Sequence, residues 1–123
     1  MELSKEEKMA FSLFSKYQEE VATKKKKHES IRDEICDYSM GLAGESGEVI
    51  DLIKKIAWQG KPLDKEKIKD ELGDILWYLT ALAHSLDITL DDIAQHNVSK
   101  LRERYPSGFT KADSEGRKEY KNG

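Results

Sequence analysis

Apolar residues recur at intervals of three and four along most of the chain, which is the periodicity of amphipathic α-helices. Ser4 and Glu7 have the spacing of a capping box and precede the first such stretch. The apolar residues of that stretch are Phe11, Phe14, Tyr17 and Val21. We therefore predict a first helix of about five turns that begins after Ser4. The lysine run 24–27 then interrupts the pattern, and we expect it to form a solvated turn.

Three further helices follow from the same periodicity and its interruptions. The second helix is expected to begin between Ser30 and Tyr38 and to end at Trp58. The third and fourth are expected to span residues 64–86 and 89–105. Gly60 and Pro106 stop the second and the fourth. The second half of the third helix is apolar nearly all round, so it must be covered on more than one side. We predict an all-α protein, an antiparallel four-helix bundle that oligomerises through its helices.

Four carboxylates occupy repeated positions on the second and third helices. Glu45 and Glu48 stand three residues apart, and Glu71 and Asp74 repeat that spacing. At about 100° per residue, Glu45 falls inside the apolar stripe of its helix, with Glu48 on the edge. Glu71 borders the stripe of the third helix, and Asp74 lies further round. Chance would produce such pairs in a chain with 24 acidic residues, but their helical phase favours a site for Mg²⁺, with Mn²⁺ as the alternative.

Small and aromatic residues near these acids allow two interpretations each. One side of the second helix has no side-chain bulk at Gly41, Gly44 and Gly47. Another backbone or a ligand could approach there; the alternative is a frayed or kinked first turn. We expect Trp77 opposite the core stripe of the third helix. There it would serve as an interface anchor or as a surface on which a base stacks.

Polar donors follow one line along the fourth helix. Asn97, Lys100 and Arg104 are separated by three and four residues and therefore share one side of it. Cationic donors opposite acid-bound metal ions are the groups that stabilise charge on a transferring phosphoryl group. The sequence thus favours phosphate chemistry over a generic cation site.

The composition of the chain limits the partners and the cellular compartment that we expect. The chain has 123 residues and a formal net charge of −3, which gives no basic field to attract nucleic acid. Cys36 is solitary and fits a reducing compartment. The charged first residues are unlike a signal peptide, and no apolar run approaches the roughly 20 residues that span a bilayer. We expect a cytoplasmic protein without membrane or nucleic-acid partners.

Three segments together resemble the MazG-like branch of the all-α nucleoside triphosphate pyrophosphohydrolases. They are GLAGESGEVIDLIKK at 41–55, KDELGDILWYL at 69–79 and NVSKLRERYPSGF at 97–109. The resemblance extends over residues 17–109 and implies Mg²⁺-dependent cleavage of nucleoside triphosphates between the α and β phosphates, releasing a monophosphate and pyrophosphate. It also implies homodimers or homotetramers with the site near the subunit interface, and a role in removing noncanonical nucleotides.

The same resemblance implies roles for individual residues. The metal ligands would be Glu45, Glu48, Glu71 and Asp74, and either Glu45 or Glu48 would take a proton from the attacking water. Lys100 and Arg104 would contact the phosphates, and Asn97 would help hold the nucleotide. Tyr17 and Gln18 match a pair that contacts the base or the sugar.

Other functions remain open at this point. The substrate could be narrower, namely dUTP, dCTP or phosphoribosyl-ATP, or the chain could be a non-catalytic helical interaction module. A ferritin-like di-iron site is disfavoured because neither acidic pair has the E-x-x-H histidine. His28, His84 and His96 are interpreted as one loop residue and two helix-surface residues.

The expected domain spans residues 1–111. Residues 112–123 have the polar, aperiodic composition of a disordered tail. Arg117 in this tail could fold back to the phosphates.

Overall fold

The protein is all-helical over residues 3–108, which its computed structural model describes with all side chains except those of residues 10–12. The four helices are α1 Lys5–Lys24, α2 Ile31–Gln59, α3 Lys65–Ser85 and α4 Leu90–Arg104. No β-strand occurs within residues 3–108. The predicted number of helices is confirmed, and each boundary lies within a few residues of the expected one. The tail 112–123 and Arg117 lie outside the described residues.

Local capping explains where the helices begin and end. The Ser4 amide donates to Glu7 Oε2 at 3.0 Å and the Glu7 amide to Ser4 Oγ at 3.1 Å, which completes the predicted capping box. Ser30 and Asp64 accept from the third helical amide in the same way at α2 and α3. Gly60 ends α2 with φ +67°, a left-handed conformation that favours glycine.

The chain divides into two compact units after Leu90. The first unit contains α1, α2 and α3, and within it α3 packs against both α1 and α2. The second unit begins at Asp91 and contains the remainder of α4. Among residues 3–108, no helix combines the length and the apolarity that a bilayer span requires.

The main buried cluster of the first unit joins its three helices. Val21 of α1, Tyr38 of α2 and Ala81 of α3 form the buried cluster. Trp77 packs against this cluster, with its ring centroid 5.9 Å from that of Tyr38 in an edge-to-face arrangement. The expectation that Trp77 lies opposite the core was wrong. Because α3 is apolar on most sides, its rotation is set by these aromatic contacts, which leave Leu72 half exposed.

Lys25 is also placed differently from the expectation of a solvated lysine turn. Its side chain is only 8% exposed, and its ammonium lies 5.4 Å from the centroid of the Tyr38 ring. The same group donates to Ser85 Oγ at 2.8 Å and lies 2.8 Å from His84 Nδ1. The prediction was wrong for Lys25, because these contacts with α3 replace its water. Lys26 remains exposed and pairs with Asp37 at 3.2 Å.

His28 lies in the α1–α2 connection, as predicted for a loop residue, but its side chain is 9% exposed. Its ring packs edge-on against Tyr38 with centroids 5.2 Å apart. His28 Nε2 lies 2.8 Å from Asp37 Oδ2. The connection is therefore held to the start of α2 by an aromatic contact and an acidic partner.

Asp37→Asn should lower the melting temperature at pH 7 but not in strong acid. Hydrogen bonding to His28, and then to Lys26, holds the pKa of the Asp37 carboxyl below its ordinary value. A depressed carboxyl pKa stabilises the fold above the unfolded-state pKa of about 3.9, and this stabilisation is lost as the pH falls through the folded-state value. Thermal melts from pH 7 to pH 2 should show the wild type and the variant converging.

Asp70→Asn on α3 is the matched control for this measurement, since it removes a similar charge from an exposed position. The melting temperature of this variant should stay close to that of the wild type from pH 7 to pH 2. A difference for Asp37→Asn that widens as the pH falls would contradict the assigned interaction.

Candidate metal centre

Three of the four predicted acids converge between α2 and α3. Glu45, Glu71 and Asp74 each offer a carboxylate oxygen, and these atoms all lie within 4.8 Å of one another. Glu71 and Asp74 share one face of α3 because of their three-residue spacing, and the packing of α2 on α3 brings Glu45 to them. Glu45 and Glu71 are half-buried, as their positions beside the apolar stripes predict, whereas Asp74 is exposed.

Glu48 does not belong to this cluster. It is exposed on α2, close to one turn beyond Glu45, and its negative charge still reaches the Glu45 carboxyl. Its role as a fourth ligand stays a prediction.

The cluster carries unbalanced negative charge. Partial burial raises the pKa of the Glu45 carboxyl, and so do a hydrogen bond with Glu71 and repulsion from Asp74. None of these three acids has an ion-pair partner within the described part of the chain. A bound cation would stabilise the ionised form of a carboxyl group that other carboxyl groups crowd in this way.

The chemistry of the donors selects the type of cation. All three groups supply carboxylate oxygen, which is the ligand that hard divalent ions such as Mg²⁺ and Mn²⁺ prefer. No histidine or cysteine joins the cluster among the described residues. These residues therefore fit Mg²⁺, with the remaining coordination positions left to water or to phosphate oxygens.

A cleft of about 390 Å³ opens beside the acids and is lined by Glu45, Asp74, Trp77 and Tyr78. Trp77 is half-buried here, so one part of its ring packs in the core and another part borders the cleft. Tyr78 was missed by the sequence reasoning. The available signal was its four-residue spacing from Asp74, which places both on one face of α3.

The three glycines of α2 have different surroundings. At Gly41 an added Cβ would overlap the ring of Tyr78, so the group that approaches this glycine is a side chain of α3 and not the backbone or ligand that we expected. At Gly44 and Gly47 an added Cβ would meet nothing within 4 Å. The helix continues through all three, so α2 is not frayed at these glycines.

The tyrosine and glutamine predicted to contact the nucleoside have separate environments. Burial, together with the negative charge of Asp74, raises the pKa of the half-buried Tyr17, so its phenol stays protonated beside the acids. Gln18 instead contacts backbone: its amide nitrogen donates to the Ile88 carbonyl at 3.2 Å, and its oxygen accepts from the Leu90 amide at 3.0 Å. The substrate contacts of Tyr17 and Gln18 stay predictions.

The predicted phosphate donors belong to the second unit. Asn97 and Lys100 are exposed on α4, and Arg104 is half-buried at its last turn. All three lie on one helix, as the sequence pattern indicated. Their contacts with phosphates stay predictions.

A second cleft of about 410 Å³ lies where α2 turns into α3. Its floor includes Leu52, Ile56 and Ile68, and its rim includes Lys55 and Lys67. It contains no cluster of carboxylates, so it is not the metal centre.

The fold and the site together define a helical protein with a carboxylate centre suited to a hard divalent cation. Residues 37–109 match the family model of the MazG nucleotide pyrophosphohydrolase domain. This match covers more than half of the chain and includes Glu45, Glu71 and Asp74, so the protein belongs to the MazG nucleotide pyrophosphohydrolase family.

The chain is also similar to a phage protein. The chain is 34% identical to the "Gene 37 protein" of Mycobacterium phage L5 over 83 residues, which cover 64% of this chain and 73% of the phage protein. No solved structure matches the chain.

Proposed function

We propose that this protein is a Mg²⁺-dependent nucleoside triphosphate pyrophosphohydrolase, with Mn²⁺ as the alternative metal. It cleaves ribo- or deoxyribonucleoside triphosphates between the α and β phosphates, giving a monophosphate and pyrophosphate. The observation that carries the proposal is the convergence of Glu45, Glu71 and Asp74 beside a cleft, inside the region that matches the family.

The protein's own acids hold the metal and manage the proton. Glu45, Glu71 and Asp74 would hold Mg²⁺, which when bound supplies positive charge to the triphosphate and activates water. Glu48 lies outside the three-acid cluster and is exposed, which favours it over Glu45 as the acceptor of the proton from the attacking water.

Aromatic residues of the cleft and, in the second unit, polar residues of α4 are the proposed contacts for the rest of the substrate. Trp77 and Tyr78 present aromatic surface beside the acids, against which a base can stack. Lys100 and Arg104 would contact the phosphates and stabilise the charge that develops on the leaving pyrophosphate, and Asn97 would help hold the nucleotide.

The proposed assembly is an antiparallel four-helix bundle in a homodimer or homotetramer. The order of contacts supports the antiparallel pairing of α2 and α3, because Gly41 meets Tyr78 whereas the later Glu45 meets the earlier Asp74. Met40 and Ile50 on α2 are mostly exposed, and apolar surface of this kind is covered by a second copy. Removal of noncanonical nucleotides in the cytoplasm is the role that we propose for this enzyme.

A pyrophosphate-release screen tests the proposed reaction. Canonical, deoxy and modified triphosphates, with phosphoribosyl-ATP, would each be incubated with the protein and Mg²⁺. We expect pyrophosphate and the monophosphate from at least one substrate, and no turnover in EDTA. Turnover of dUTP, dCTP or phosphoribosyl-ATP alone would establish a narrower enzyme.

Two outcomes would contradict this function. Release of inorganic phosphate in place of pyrophosphate would indicate cleavage at the wrong bond. No product from any substrate would favour a non-catalytic interaction module.

A further inference from the structure

The ring of Tyr78 lies directly against the backbone of α2 at Gly41. A Cβ at position 41 would overlap three ring carbons of Tyr78, Cδ1, Cε1 and Cζ, the last at 2.7 Å. Separations under about 3 Å do not occur between packed carbon atoms, so either the ring or the helix would have to move. Only glycine allows α2 and α3 to approach as closely as they do here.

This contact is the layer next to the carboxylates. Gly41 precedes Glu45 by four residues on α2, and Tyr78 follows Asp74 by four residues on α3. Residues four apart share one helix face and are separated by about 6 Å along the axis. A change in the spacing of the helices at Gly41 and Tyr78 is therefore transmitted to Glu45 and Asp74.

Aromatic contacts oppose a movement of the Tyr78 ring away from Gly41, although one side of the ring borders the cleft. The ring centroid of Tyr78 lies 5.2 Å from that of Trp77 in an edge-to-face contact, and Trp77 makes the same kind of contact with the buried Tyr38. Tyr78 also packs against the core cluster of the first unit. A methyl group at position 41 is thus expected to displace α2 from α3 in preference to the ring.

We propose that Gly41 and Tyr78 are positioning residues that set the affinity of the metal centre by fixing the separation of Glu45 from Glu71 and Asp74. This inference rests on the proposed function, since it requires that the cluster bind a divalent ion. Mg²⁺ demands near-ideal octahedral geometry at about 2.0–2.1 Å, so ligands from two helices tolerate little change in helix spacing. Neither residue is a ligand, and neither contacts the reacting atoms in this role.

A double-mutant cycle with Mn²⁺ as the probe tests this proposal. We expect Gly41→Ala to weaken Mn²⁺ binding, measured by calorimetry or by the free-ion EPR signal, by about tenfold or more, the scale of supporting-residue effects on metal affinity. Gly44→Ala is the matched control: it gains the same helix propensity, and its Cβ meets nothing within 4 Å, so its affinity should equal that of the wild type. We expect Tyr78→Ala alone to bind Mn²⁺ more weakly than the wild type. Adding Gly41→Ala to that variant should cause no further loss of Mn²⁺ affinity.

The outcomes separate this proposal from the proposed function. Equal Mn²⁺ affinity in Gly41→Ala and Gly44→Ala would overturn the positioning role while leaving the metal centre intact. The positioning role would also be overturned if Gly41→Ala weakened Mn²⁺ binding as much in the Tyr78→Ala background as it does in the wild type. A wild-type protein that does not bind Mn²⁺ would contradict the metal-dependent function itself.

If Gly41→Ala does not fold, as judged by circular dichroism, two variants at position 78 decide the question. Tyr78→Phe keeps the ring and should bind Mn²⁺ as the wild type does, whereas Tyr78→Ala should bind more weakly. A loss of affinity in Tyr78→Phe would assign the effect to the hydroxyl group and overturn the proposal.

Discussion

Glu71→Gln should reduce the rate of pyrophosphate release by more than about 100-fold. Changes to residues that only support a metal ligand reduce activity by about 10–100-fold, and the loss of a ligand should cost more. The amide keeps the shape of the side chain but removes the negative charge of a half-buried acid of the proposed metal centre. The Glu71 carboxylate also raises the pKa of Glu45, so its removal relieves repulsion in the metal-free protein. Steady-state turnover, with melting temperatures measured with and without Mg²⁺, would check both effects. The melting temperature without metal should be equal to or above that of the wild type, and its increase with Mg²⁺ should disappear.

Glu66→Gln is the matched control on the same helix. Glu66 is an exposed acid in the first turn of α3 that pairs with Lys69 at 3.0 Å, and it lies outside the cleft. Its turnover and its response to Mg²⁺ should match those of the wild type. Undiminished turnover in Glu71→Gln would refute the metal centre at these acids.

Tyr38→Ala should lower the free energy of unfolding by about 3–5 kcal/mol, the usual cost of truncating a large buried aromatic side chain to alanine. Tyr38 is 2% exposed and lies in the buried cluster with Val21 and Ala81. Its removal would also deprive the nearly buried Lys25 ammonium of the ring beneath it. Urea unfolding followed by circular dichroism measures the change.

Trp58→Ala provides the comparison for this loss. Trp58 on α2 is an even larger aromatic residue, but it is 80% exposed. Its removal should change the free energy of unfolding by no more than about 0.5 kcal/mol in the monomer. A loss below about 1 kcal/mol for Tyr38→Ala would show that the aromatic cluster is not the centre of the core.

The helix boundaries could be predicted because their signals are local. Ser4 with Glu7, and Asp64 with Lys67, interact across three residues, so a short stretch of sequence contains both partners. The rotation of α3 could not be predicted with the same certainty. Its second half is apolar on nearly every side, and the choice of buried face depends on Val21 and Tyr38 from two other helices.

Part of the carboxylate cluster could be predicted from the helical periodicity of the sequence. Periodicity placed Glu45 and Glu71 beside the apolar stripes, and both are half-buried in the structure. Periodicity placed Glu48 on the edge of its stripe, but its separation from the other three acids depends on how α2 is turned toward α3. The Tyr78 contact required knowing that Gly41 faces it across the two helices.

Lys25 shows the limit of reasoning from composition. A run of four lysines is ordinarily solvated, but the partners of Lys25 on α3, His84 and Ser85, are 59 and 60 residues away in sequence. Only the tertiary fold brings them to the ammonium.

The two hydrogen bonds of Gln18 make the first unit cooperative between distant parts of the chain. They span 70 and 72 residues and tie α1 to the connection that leads into α4. Fraying of α1 would therefore release the carbonyl of Ile88 and the first amide of α4 at the same time. The region that matches the family begins at residue 37 and leaves α1 out. Helix α1, which lies before the segment by which the family is recognised, is therefore part of what holds the start of α4 in place.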